Sequence, residues 1–232
     1  MKTPLTNLFK IPVTTVLEGF TDWHSHMLPG VDDGCRTMEE SIALLKMYEE
    51  AGVRSVYVTP HVMQDIPNLT ADLKVLFERI RRKASGMVHL SLASENMLDF
   101  LFGQRLQERD FLMLSGSRIL VESPLYNKPE DFDRYLVDIR NAGMVPVLAH
   151  PERYVFLDEK QYRELYKSGV RFQVNLPSFA GIYGAEVKER AEMIAGGGMA
   201  DYYGTDVHGT EEFRELRGAY IGRRWAEKIM SL

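Results

Sequence analysis

Seven short apolar runs, near residues 18–24, 53–59, 88–94, 118–122, 145–149, 170–175 and 200–205, alternate with helical patterns along almost the whole chain. Alternation of this kind, with no composition shift or low-complexity linker, calls for parallel strands joined by right-handed crossovers. Six of the seven runs end in histidine or a carboxylate: His24 and His26, His61, Glu95, Glu122, His150, and Asp206 with His208. Parallel strands present their carboxyl ends on one side, so donors scattered over the chain can meet there. A closed or nearly closed barrel of seven βα units focuses six strands on one spot more easily than an open doubly wound sheet, whose crevice is the alternative.

The helices have their own signals. Thr37 with Glu40 reads as a capping box ahead of Ile42, Leu45 and Tyr48, and Gly52 closes that helix. Thr70 can cap a second, with Leu73, Leu76, Phe77 and Ile80 inward, and Pro129 can open a third that buries Phe132, Tyr135, Leu136 and Ile139. Further helices fit 97–109, 158–168, 185–195 and 213–230. The expected layout is an N-terminal arm over 1–17 and one domain over 18–232.

The 232 residues are 45% apolar and 26% charged, the balance of an ordinary globular protein, and the net charge of −5 gives no reason to expect nucleic acid. A single cysteine, Cys35, rules out an internal disulfide and fits a reducing compartment such as the cytoplasm. It is not a Cys-x5-Arg nucleophile, because Ser41 stands where the arginine is needed. The apolar stretch Leu8 to Leu17 is broken by Lys10 and Pro12, and no run approaches the roughly 18 to 20 residues that span a bilayer.

Within Asp22-Trp23-His24-Ser25-His26 the two imidazoles lie two apart, so in an extended segment they share a face and can reach one ion. The loop Pro29-Gly30-Val31-Asp32-Asp33-Gly34 reads first as a turn, but its place behind the histidine pair makes one Asp a candidate oxygen ligand. His61 and His150 end strands, as structural or solvated histidines also do. Glu95 and Glu122 follow buried strands, where an acid needs a metal or a basic partner. Arg153 can grip a phosphate or carboxylate with a two-pronged hydrogen bond, or simply pair with Glu152. Asp206 and His208 repeat the two-apart spacing. His89 starts its strand, at the wrong end, and Asn175 either orients a ligand or caps a turn. Five imidazoles and four carboxylates with essentially no sulfur suit Mn, Fe or Zn, and they exceed what one ion needs. Two or three clustered ions are the expectation, and such clusters hydrolyse esters by activating water and neutralising charge.

The strings Asp22-x-His24-x-His26, Leu28-Pro29-Gly30-x-Asp32-Asp33-Gly34, Thr59-Pro60-His61, Glu95, Glu122, Ala149-His150-Pro151-Glu152-Arg153-Tyr154 and Asp206-x-His208 resemble the polymerase-and-histidinol-phosphatase (PHP) superfamily. More narrowly, they resemble its bacterial protein-tyrosine phosphatases of the CpsB, CapC and YwqE type. The resemblance implies a distorted, TIM-like (β/α)7 barrel with three metal ions, manganese foremost. It places His24, His26, Asp33, His61, Glu95, Glu122, His150, Asp206 and His208 at ligand positions, and makes Arg153, His150, Asp206 and His208 the catalytic group. Arg153 takes the phosphate-gripping position, with Arg214 the candidate for a second phosphate contact. The implied partner is a phosphotyrosine protein, typically the tail of a bacterial tyrosine kinase controlling capsular or exopolysaccharide synthesis. A small-molecule phosphatase acting, for example, on histidinol phosphate and a non-catalytic PHP-like binding module are the rivals. Cys35 and Ser94 stand where the family often has proline and glycine.

Overall fold

The computed structural model describes residues 9–231. Its strands are β1 (Lys10–Pro12), β2 (Thr21–Ser25), β3 (Ser55–Val58), β4 (His61–Val62), β5 (His89–Leu92), β6 (Glu95–Met97), β7 (Arg118–Glu122), β8 (Val145–Ala149), β9 (Arg171–Asn175), β10 (Ala200–Gly204) and β11 (Tyr220–Gly222). The helices are α1 (Val13–Leu17), α2 (Met38–Glu50), α3 (Thr70–Lys83), α4 (Phe102–Glu108), α5 (Phe132–Asn141), α6 (Glu159–Lys167), α7 (Leu176–Ala180), α8 (Ala185–Gly196), α9 (Thr210–Gly218) and α10 (Arg223–Met230).

The architecture is α/β on parallel sheets. One sheet runs β2-β3-β5 and the other β10-β9-β8-β7-β6-β4, every neighbouring pair parallel. Both edges of the first sheet continue into the second. Thr59-Pro60 and Ala93-Ser94 interrupt strands that then resume as β4 and β6, while Ala93 N–H to Val58 O (2.9 Å) and Glu95 N–H to Pro60 O (3.0 Å) carry the pairing across the breaks. At the other edge Asp206 N–H donates to His24 O (2.8 Å) and His26 N–H to Val207 O (3.0 Å), with a parallel bridge between Ser25 and Val207.

Inside, Ala93, Leu114, Leu120, Val147 and Ala149 pack with Trp23, Tyr57 and Tyr202. Trp23 stacks on Tyr57 with centroids 4.3 Å apart, so the interior is filled rather than a pore. Helices cover the outside by the period-3.6 rule. On α5 the residues Phe132, Leu136 and Ile139 are buried, each contributing roughly 1.5–3 kcal/mol through lost apolar exposure.

The seven expected strands all form, but several end signals resolve differently. Thr37 does accept from Glu40 N–H (3.2 Å), yet the Glu40 carboxylate takes Arg36 N–H instead of closing the box on Thr37. Thr70 does not cap α3: its hydroxyl donates to Asp110, and Leu69 precedes the helix without a side-chain cap. Pro129 lies outside α5, accepting Phe132 N–H at 3.1 Å in the turn before it. The helix expected over 97–109 starts only at Phe102, because β6 extends the strand to Met97 and Asp99 turns the chain by accepting Leu101 N–H. The segment 213–230 is not one helix. Gly218 ends α9 and Gly222 closes β11, which pairs antiparallel with β1. Of the stretch 1–17, residues 1–8 lie outside the described residues, whereas Val13, Val16 and Leu17 of α1 are buried in the core.

Candidate metal centre

Strand alternation delivers the first pair as expected, with His24 and His26 both fully buried and their Nε2 atoms 3.0 Å apart. A proton between two imidazoles could account for that contact. The opposite ring nitrogens argue against it: His24 Nδ1 lies 2.8 Å from Gln173 Oε1 and His26 Nδ1 3.1 Å from Asp32 Oδ2. An acceptor at each Nδ1 draws the proton there, leaving both Nε2 lone pairs aimed inward, as metal-binding histidines are held.

The acids of four other elements meet them. Glu95 Oε2 lies 3.0 Å from His24 Nε2, 3.2 Å from His26 Nε2 and 3.2 Å from His61 Nδ1, while its Oε1 is 3.0 Å from His150 Nε2. Glu122 Oε1 is 2.8 Å from His61 Nδ1, and Asp206 Oδ1 is 3.3 Å from His26 Nε2. Asp33 Oδ1, on a side chain 67% exposed, reaches His61 Nε2 (3.5 Å) and His208 Nε2 (3.4 Å) at the solvent side. Three groups result, each able to hold an ion: His26, Asp33, His61 and His208; His24, His26, Glu95 and Asp206; and His61, Glu95 and Glu122. They share corners at His26, His61 and Glu95. His150 stands beside the last two through Glu95.

Polar satisfaction supplies an independent test of fit. His61 Nδ1, Glu95 Oε2 and Glu122 Oε1 are buried with no hydrogen-bond partner, although the two carboxylate oxygens lie 3.2 and 2.8 Å from the imidazole nitrogen. Orphans of this kind cost a few kcal/mol apiece unless something else satisfies them, and a cation among oxygen and nitrogen donors does so. The residues therefore fit divalent metal. Cys35 adds no soft ligand: burial, with Glu40 nearby, pushes its thiol up to about 12.

Charge tells the same story. Burial would raise the Glu95 carboxyl, but His24 and His61 hold it well below the usual carboxylate range. Burial would lower His26, but hydrogen bonds to Asp206, Asp32 and Glu95 hold it well above the ordinary imidazole value. His208 is raised to about 9 by Asp33 and Glu212 against burial and the nearby His26. Protons and a divalent metal thus compete for the same imidazole nitrogens, so metal affinity should fall as pH is lowered.

A second layer of side chains fixes the first. Asp32 turns away from its neighbour Asp33 to accept Gly34 N–H (3.0 Å) and His61 N–H (3.0 Å) while holding His26. Gln173 Nε2 donates to Asn175 Oδ1 (2.8 Å), and Asn175 Nδ2 to Asp206 Oδ2 (2.7 Å), so Asn175 orients a candidate ligand and makes no side-chain cap on α7. Asp22 accepts Thr205 N–H, the Thr205 hydroxyl and Tyr48 OH, which latches β2 to the end of β10. Burial raises that carboxyl to about 6. Close approach makes two glycines obligatory: a Cβ on Gly34 would sit 2.0 Å from His26 O, and one on Gly204 2.5 Å from His24 Cβ. His150 (φ 33°) and Asp206 (φ 54°) hold left-handed backbone, strain that this packing sustains.

The donors open into a cavity of about 460 Å³ whose wall includes Arg153, Tyr183, Glu212 and Glu215. Arg153 does not pair with Glu152, which is buried on Ser178 and Asn175 N–H; its Nη1 donates to Asp206 Oδ2 (2.9 Å) and its guanidinium lies 4.8 Å from the Tyr183 ring. Arg214 is exposed and lines none of this cavity, since 200° of helical turn separates it from Glu212. His89 is exposed at the start of β5, remote from the donors. Sequence reading passed over Gln173, Tyr183 and Glu212. For Gln173 a signal existed: it is the polar residue between Phe172 and Val174 in a buried strand.

Replacing Gln173 with leucine should weaken metal affinity by about 10–100-fold, because His24 Nδ1 and Asn175 lose their partner. Titration of chelator-treated protein with manganese checks it, and an unchanged isotherm would remove Gln173 from the ligand-orienting layer.

Comparison with known proteins agrees in sequence and in fold. A family model described as "Capsular polysaccharide synthesis, CpsB/CapC" matches residues 20–224. The tyrosine-protein phosphatase YwqE of Bacillus subtilis is 26% identical over 209 residues, covering 86% of this chain and 82% of its own. The tyrosine-protein phosphatase CpsB of Streptococcus pneumoniae is 28% identical over 199 residues, 81% of this chain and 82% of its own. A solved structure from work on YwqE and CpsB, described there as unique metal-dependent tyrosine phosphatases, superposes with a TM-score of 0.77 at 23% identity, over 91% of this chain and 86% of that one.

Proposed function

The chain belongs to the CpsB/CapC family, and from that premise we propose that it is a metal-dependent phosphatase removing phosphate from tyrosine in proteins. The observation that carries the reading is the set of three corner-sharing donor groups beneath a cavity whose rim holds Arg153. On this reading His24, His26, Asp33, His61, Glu95, Glu122, His150, Asp206 and His208 hold two or three divalent ions, manganese foremost, with iron or zinc also suited to the donors. Counting β3 with β4 and β5 with β6 as interrupted single strands makes the scaffold a seven-stranded barrel within one domain. The substrate would be a tyrosine-phosphorylated protein such as a kinase governing polysaccharide synthesis. No helix of the described residues is long and apolar enough to cross a membrane. A cytoplasmic site of action fits the lone buried cysteine.

When bound, the ions supply an activated water and neutralise charge on the phosphoryl oxygens. The chain's own groups do the rest. Arg153 keeps four of its five N–H donors beyond the bond to Asp206, enough to grip two phosphoryl oxygens as equatorial charge develops. Asp206, pinned by Asn175, aims that guanidinium, and Tyr183 stacks behind it. Water oxygen adds to phosphorus as the phosphorus–phenol oxygen bond breaks; one water proton stays on the phosphate and the other neutralises the departing phenolate, which leaves readily enough that demand for a positioned proton donor is small.

The test is an activity panel on metal-reconstituted protein with phosphotyrosine peptide, phosphoserine peptide and histidinol phosphate, and His150→Ala as control. Phosphotyrosine peptide should be preferred and the alanine variant inactive. Preference for histidinol phosphate would overturn the substrate assignment, and full activity in His150→Ala the mechanism.

A further inference from the structure

Beside the metal cavity lies a second one of about 600 Å³, and the two share Leu125, Arg153 and Tyr183. It is lined on one side by the loops that follow β7 and β8, the strands whose ends deliver Glu122 and His150, and on the other by Tyr183 and the start of α8. Val155 N–H donates to Leu125 O at 3.0 Å and holds these loops side by side. From them Tyr126 (75% exposed) and Val155 (51% exposed) present apolar surface to solvent, and Val187 of α8 lines the same groove. Single exposed apolar residues are commonplace; these share one groove that opens directly into the candidate active site.

Resting on the phosphotyrosine reading, we infer that this groove seats the residues flanking phosphotyrosine in a substrate protein and selects for apolar or aromatic ones. With the phosphoryl group at the donors and the phenol ring beside Tyr183, the substrate backbone is left at the rim where the two cavities join. The groove's other charged residues, Glu186 and Arg190, are of opposite sign, and Arg190 Nε is engaged by Glu152 O at 2.6 Å. Recognition therefore comes from burying apolar surface against Tyr126 and Val155, not from net charge.

Three substrates separate the parts of this claim: p-nitrophenyl phosphate, which has no flanking residues, and two phosphotyrosine peptides identical except for leucine or serine beside the phosphotyrosine. The metal-loaded wild-type protein should favour the leucine peptide by about tenfold in kcat/KM, through KM. The double variant Tyr126→Ser, Val155→Ser should lose that preference while its kcat/KM on p-nitrophenyl phosphate stays within about twofold, which also reports that it is folded. Equal kcat/KM for the two peptides in the wild type, or an undiminished preference in the variant, would overturn the groove alone. So would a change in oligomeric state on size-exclusion chromatography without a change in KM, which would assign the surface to a second copy of the chain. Activity on histidinol phosphate with none on either peptide would overturn the phosphotyrosine reading, and the groove with it.

Discussion

Glu95→Gln should lose at least about 10³-fold in kcat/KM and release bound metal, although the substitution conserves volume. Glu95 is fully buried, and its two oxygens touch four of the five clustered imidazoles, those of His24, His26, His61 and His150. It is also the corner shared by the two innermost donor groups. An amide there brings no negative charge to offset the cations. Half of its polar surface would moreover be N–H, unable to bind metal and facing cations or imidazole lone pairs. Elemental analysis of the purified variant should show the loss of at least one equivalent of metal relative to wild type, with the far-UV dichroism retained because the apolar core lies elsewhere. A variant that keeps both its metal and its turnover would remove Glu95 from the centre and, with it, the joining of the donor groups.

The features legible in the sequence were those governed by short-range rules. Period-two alternation tells where strands run, and a polar residue ending an apolar run tells where a strand stops, so eight of the nine candidate donors can be named from their positions and only Asp33, in a loop, needs the resemblance. What was hidden depends on partners distant in sequence. Pro60 breaks a strand that nonetheless resumes at His61, because Glu95 N–H finds Pro60 O from the neighbouring segment. Thr70 looks like a helix cap until Asp110 captures its hydroxyl, and 213–230 looks like one helix until β1 offers β11 a pairing edge. The resemblance could nominate Asp33 over Asp32, but the division of labour between them is set by folding: Asp32 is pulled inward by His26 and two backbone N–H groups, leaving Asp33 to face His61 and His208. Arg214 is a candidate only because the resemblance implies an arginine a few residues after His208, whereas on α9 orientation decides, and the helix turns Glu212 and Glu215 toward the cavity instead.

Arg153→Ala should lower kcat/KM by roughly 10²–10³-fold while leaving the metal in place, which separates it from the Glu95 change. Asp206 loses one donor in this variant but keeps the 2.7 Å bond from Asn175 Nδ2, so its carboxylate stays oriented. What disappears is the fork that meets the transferring phosphoryl group from the cavity rim. Because its N–H donors fit oxygens whose charge grows in the transition state, kcat should fall along with any rise in KM, and inhibition by inorganic phosphate should weaken. Arg153→Lys keeps the positive charge and loses the planar fork, so it should recover only part of the loss. Arg214→Ala, on the exposed side of α9, should stay within about twofold of wild type. Steady-state kinetics on a phosphotyrosine peptide, with metal content measured on the same samples, checks all three. Wild-type activity in Arg153→Ala would mean that the cation at the rim serves only to neutralise Asp206, and phosphate recognition would then have to come from the metal cluster alone.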